Sequence, residues 1–67
     1  MNKNLFKAAI VAAGKNQQDC AKHLGMSVSS FYRHFKKEDF GLDDCNKLID
    51  FLAISNPAEV FFNSKMS

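Results

Sequence analysis

Asn16-Gln17-Gln18-Asp19-Cys20-Ala21-Lys22-His23-Leu24-Gly25-Met26-Ser27-Val28-Ser29-Ser30-Phe31-Tyr32-Arg33-His34-Phe35 is the stretch that decides the fold. Asn16 suits an N-cap, Cys20, Ala21 and Leu24 share one helical face, and Gly25 permits the left-handed backbone that stops a helix. A two-turn helix over 17–24 is therefore expected. Ser27 caps a second helix, with Met26 before it placed to pack on Phe31 as a hydrophobic staple. Phe31 and Phe35 fall one turn apart on its inner face, whereas Val28, Ser29, Tyr32, Arg33 and Lys36 share the opposite face. Two short helices that cross steeply need a small residue where they touch and, four residues on, a glycine where the chain reverses; Ala21 and Gly25 meet both needs.

Outward from this stretch the helical period continues in both directions. Leu5, Phe6, Ala9, Ile10 and Ala13 mark a first helix over 4–13, with Gly14 as its stop. Residues 37–41 read as a loop, after which Leu42, Cys45, Leu48, Ile49 and Leu52 predict an inward face for a helix over 42–53, with Asp43 and Asp44 in its first turn. Asn56, Pro57 and Glu59 supply cap, first-position proline and third-position acid for a short helix ending near Phe62. Residues 63–67 are expected to fray. No segment has the strand period, so the expected fold is all-α, one domain over 1–67 built as a compact bundle of about five short helices.

The 67 residues leave room for one small domain and little for a catalytic cleft. With 46% apolar and 24% charged residues the composition is that of a chain able to fold around a core. No apolar run approaches the roughly 20 residues that cross a bilayer, so no membrane partner and a cytoplasmic location are expected. Cys20 and Cys45 are too few for a disulfide framework and are expected as free thiols. Together with His23 and His34 they are zinc-type donors, but both cysteines stand where the helical pattern asks for apolar side chains, and a free cysteine packs as a small hydrophobe. Core packing explains them, and no metal or cofactor is expected. The sequence has no glycine-rich phosphate loop and no Ser-His-Asp arrangement, so neither an enzyme nor a small-molecule substrate is indicated.

Charge is divided along the chain. Residues 1–37 carry seven Lys and Arg against Asp19 alone, a net of +6; from Glu38 onward six acids face two lysines, a net of −4. One end is suited to a polyanion and the other is held off it, which orients the encounter.

The segment 16–31 resembles the helix-turn-helix of phage lambda-type repressors and Cro proteins, shared by bacterial xenobiotic-response-element regulators. Phe40-Gly41-Leu42-Asp43-Asp44 and the run 52–62 are similar to that family's fourth and fifth helices. Helix 1 departs from it: the family often carries a buried arginine there, paired with a glutamate of the recognition helix, where this chain has Ile10 and Phe35. The resemblance implies that Val28, Ser29, Tyr32 and Arg33 read base edges, Arg33 bonding guanine O6 and N7 and Val28 touching a thymine methyl. It implies phosphate contacts from Asn16, Gln17, Ser27, Ser30, Lys36 and Lys37. Each has a plainer reading: Gln17 and Ser29 as ordinary helix-start residues, Arg33 and the lysines as a solvated face, Tyr32 as a cover for its neighbours.

The expected function is thus a short Cro-type regulator that binds double-stranded operator DNA as a homodimer. A two-fold dimer sets its recognition helices about 34 Å apart and calls for a near-palindromic operator. Val60, Phe61 and Phe62, with Met66, are the expected dimer surface, unless they close the core instead. Only about five residues follow Phe62, which fits a Cro-type chain better than a repressor with an added oligomerisation domain. The alternatives are a protein-interaction module of the same fold, such as an antitoxin or antirepressor, and the isolated DNA-binding domain of a larger repressor.

Overall fold

A computed structural model describes residues 1–62, and in it each of the first three helices begins where a side chain accepts from a free amide. In α1, Lys3–Ala12, the Asn2 Oδ1 accepts from the Leu5 amide at 3.0 Å. That side chain starts the helix one residue earlier than the apolar pattern indicates. In α2, Gln17–Leu24, the expected Asn16 cap is doubled: Asn16 Oδ1 accepts from the Asp19 amide at 2.8 Å, and Asp19 Oδ2 accepts from the Asn16 amide at 3.0 Å. In α3, Val28–Lys37, Ser27 Oγ accepts from the Ser30 amide at 3.1 Å. The fourth, α4, Leu42–Phe51, has no side-chain cap but carries Asp43 and Asp44 at the positive end of its dipole.

All four helices stop in the same way. A residue at positive φ turns the chain, and the next amide bonds the carbonyl five residues back, as in a Schellman closure. The bonds are Lys15 to Ile10 at 3.0 Å, Met26 to Ala21 at 3.0 Å, Asp39 to His34 at 3.2 Å and Ile54 to Ile49 at 3.0 Å. The turning residues are Gly14 (φ +71°), Gly25 (φ +73°), Glu38 (φ +58°) and Ala53 (φ +51°). Two of them are the expected glycines, and two carry a Cβ that disfavours the conformation. Because Leu52 and Ile54 both enter the core, α4 ends at Phe51, before the position 53 that its periodicity predicts.

The last element, Ala58–Phe62, is a π-helical turn. Asn56 caps it through its backbone oxygen, which accepts from the Glu59 and Val60 amides at 3.1 and 3.2 Å, while its Nδ2 donates to Glu59 Oε1 at 3.0 Å. The Asn2 amide donates to the Val60 carbonyl at 2.7 Å, joining the two ends of the described chain.

Phe6 is the centre of the core. Its ring centroid lies 5.3 Å from that of Phe61, 5.6 Å from Phe35, 6.1 Å from Phe40 and 6.3 Å from Phe31. Ile10, Cys20, Ala21, Cys45, Leu48, Leu52, Ile54 and Val60 complete it. Burial holds the Cys20 thiol up at about 11, with Asp19 adding to the effect, and burial raises Cys45 in the same direction. Both are free and act as apolar side chains. The radius of gyration, 11.0 Å, matches the about 11 Å expected of a folded chain of this length.

Two expectations are corrected. Leu42 does not face inward but is 65% exposed: as the first residue of α4, its Cβ tilts past the helix end, where nothing covers it. Val60 and Phe61 are not a surface between copies but close the core at 1% and 8% exposure, leaving Phe62 outside. The expected fraying of 63–67, and Met66 as a dimer contact, lie outside the described residues. Among the described residues no helix is long and apolar enough to cross a membrane and no strand forms.

Candidate nucleic-acid interface

The three residues between α2 and α3 fix how α3 is presented. Gly25 reverses the chain, Met26 packs against the core and Ser27 caps the next helix. Behind α3, Phe31 and Phe35 are buried. In front, Val28, Ser29, Tyr32, Arg33, Lys36 and Lys37 are all exposed. Four side chains able to read base edges and two lysines therefore lie on one surface that bears no carboxylate within α3. Tyr32 has a second task, since its ring stacks on Phe35 at 6.3 Å and 26°. The aromatic body is tied to the helix while about half of the residue remains open.

The phosphate-type residues divide into two groups. Ser27 uses one oxygen lone pair to accept from the Ser30 amide and keeps its hydroxyl proton to donate outward. Ser30 is half-buried. Asn16 likewise spends Oδ1 on its cap, which leaves the Nδ2 amide as its outward group. Gln17, half-buried, lines a hollow of about 300 Å³ with Lys7, Ile10, Val11, Lys15 and Asn16. This hollow is separate from the α3 face and brings Asn16 and Gln17 together with two lysines that the helical motif does not contain.

Two lysines of α1, Lys3 and Lys7, also belong to the candidate site, though neither is among the expected contact residues. Lys3 Nζ and Lys7 Nζ each lie 5.9 Å from the centroid of the Phe35 ring. Lys3 also pairs with Glu38 Oε2 at 3.5 Å, and the amino group of Met1 lies 3.7 Å from Glu38 Oε1. The signal was present, because Lys3 and Lys7 are one helical turn apart on an α1 that has no acid. On the other side, His34 Nδ1 and Asp39 Oδ1 are 2.7 Å apart, so the first two acids after α3 each meet a basic group.

The zinc-type donors do not converge: His23 stacks on Phe51 at 4.2 Å, His34 is with Asp39, and both thiols are in the core. Among the described residues no three His, Cys, Asp or Glu side chains are placed to hold a metal ion. No family model, curated protein or solved structure matches the chain.

Proposed function

We propose that the chain is a sequence-specific regulator of transcription of the short lambda Cro type, which lays the outer face of α3 in the major groove of double-stranded DNA. The observation that carries this reading is the division of α3. Its phenylalanines are buried while Val28, Ser29, Tyr32, Arg33, Lys36 and Lys37 are exposed. An outer face of guanidinium, hydroxyl, phenol and ammonium groups without one acid suits a groove rimmed by phosphates and floored by base edges, which takes each of them. Arg33 is assigned to a guanine, Val28 to a thymine methyl, and Ser29 and Tyr32 to further base-edge contacts. Asn16, Gln17, Ser27, Ser30, Lys36 and Lys37 bind the backbone. Phe62 is the remaining apolar candidate for contact with a second copy on a two-fold site.

Selection of bound duplexes from a random pool at physiological salt tests the reading. Enrichment of one motif supports it, and a near-palindrome supports the dimer as well. Affinity for the recovered duplex should fall steeply with added salt, since each neutralised phosphate releases counterions. A pool without enrichment would sink the reading and favour a protein partner.

A further inference from the structure

We propose that Glu38 is a positioning residue, tying the far end of α3 to the start of α1 and so fixing the tilt at which the outer face of α3 is presented. The proposal rests on reading that face as the DNA contact. Three observations on different atoms converge on it. First, the backbone of Glu38 is left-handed at φ +58°, at a turn that α1 and α2 give to glycine. Second, its carboxylate reaches back to α1, with Oε2 3.5 Å from Lys3 Nζ. Third, that same ammonium stands 5.9 Å from the Phe35 centroid, as does Lys7 Nζ, so the α1 cations cover the ring that anchors the second half of α3.

Stability alone does not account for this arrangement. Both partners of the Lys3–Glu38 pair are more than a third exposed, and such pairs contribute little to folding; Glu38 Oε1 also stands 3.7 Å from the Met1 amino group, a second partner that ties the same two ends. The left-handed backbone is not itself the mark of function, because Ala53 shares it; what sets Glu38 apart is the carboxylate that reaches α1. What a pair between two helices supplies is a tether at one end of their contact. Here α1 meets α3 through Phe6 on Phe31 and Phe35, and the pair adds a contact beyond that cluster, past the last turn of α3. Ala53 is the control within the molecule, equally left-handed but with no side chain to reach anything.

The test compares Glu38→Gln, Lys3→Gln, Lys3→Arg and the double glutamine variant. Two duplexes are used, the one recovered from the random pool and a permuted duplex of the same composition, and the readout is the ratio of the two affinities. A change in net charge alone moves both affinities together and leaves the ratio untouched. Glu38→Gln and Lys3→Gln are each expected to lower the ratio about threefold, the scale of an exposed pair, with thermal unfolding nearly unchanged. Lys3→Arg should keep the ratio, and the double variant should be no worse than Glu38→Gln alone, because that substitution already removes the Lys3 pair. An unchanged ratio in Glu38→Gln, additive single effects, or a Lys3→Arg that behaves as Lys3→Gln would overturn the proposal. Amide exchange in the last turn of α3 gives a readout without DNA and should be faster in both glutamine variants. If wild type enriches no duplex, the functional reading fails while exchange still judges the tie; unchanged exchange overturns the tie whatever the DNA result.

Discussion

The helices α3 and α4 have the same length and bury one face each, yet they differ in everything that faces outward. Each spans ten residues, with Phe31 and Phe35 buried in one and Cys45 and Leu48 in the other. Outside, α3 shows Arg33, Lys36 and Lys37 with no acid, whereas α4 shows Asp43, Lys47 and Asp50. Each stops at a left-handed residue with a Cβ, but Glu38 holds Lys3 while Ala53 holds nothing. Folding constrains the inner faces alike, and the outer faces are free to diverge. The proposed function assigns that divergence to DNA contact by α3, and substitutions on the two helices can erase or widen it.

The largest effects should ignore the difference. Phe31→Ala and Leu48→Ala each remove a side chain with no exposure. They are expected to cost about 3 to 5 and 2 to 5 kcal/mol respectively, a large part of the stability of so small a domain. Urea unfolding checks this, and a mild loss in one of the two would break the equivalence of the inner faces. Next comes the contrast itself. Arg33→Ala should weaken binding of the recovered duplex by about 1 to 3 kcal/mol and relax preference at one base pair, with unfolding unchanged. Lys36→Ala should weaken all duplexes alike, and Lys47→Ala on α4 should have no effect on either. Equal losses for Arg33 and Lys47 would reduce the α3 face to a solvated surface.

A smaller effect belongs to the two stops. Ala53→Gly should stabilise by about 0.5 to 1 kcal/mol, because relief of a left-handed cost of about 1 to 2 kcal/mol outweighs the added freedom of the unfolded chain. Glu38→Gly relieves the same strain but loses the ion pair, so its melting temperature should rise less. The last effect is absent at neutral pH. Burial raises the Cys20 thiol from 9.0 to about 11, and Cys45 of α4 in the same direction. Above 9.0 the unfolded chain loses thiol protons that the folded chain keeps, so stability falls as pH rises from about 9 toward 11. Cys20→Ala should flatten that decline in a pH series of urea titrations. An identical slope in the variant would place the loss elsewhere.

The sequence is most informative where local chemistry and tertiary packing agree. Asn16, Gly25 and Ser27 mark the bounds of α2 and the start of α3 because a cap and a left-handed glycine act within a few residues of themselves. The stops at Glu38 and Ala53 are illegible for the same reason, since no glycine announces them. Periodicity places Leu42 inward because it counts spacing, not whether a neighbour reaches that far. The exposed α3 residues can be listed from spacing alone. Lys3, Lys7 and Glu38 cannot, because the approach of the two lysines to Phe35 and the Lys3–Glu38 pair depend on α1 crossing α3, a relation between segments some thirty residues apart.

The placement of the aromatic residues has an optical consequence. The core around Phe6 is built from phenylalanines, the chain has no tryptophan, and Tyr32, its one tyrosine, stands on the outer face of α3. Tyrosine emission from this protein therefore reports the surface proposed to meet DNA and carries little signal from the interior. Added duplex should quench it directly, without a label, whereas loss of the core should be followed by far-ultraviolet dichroism.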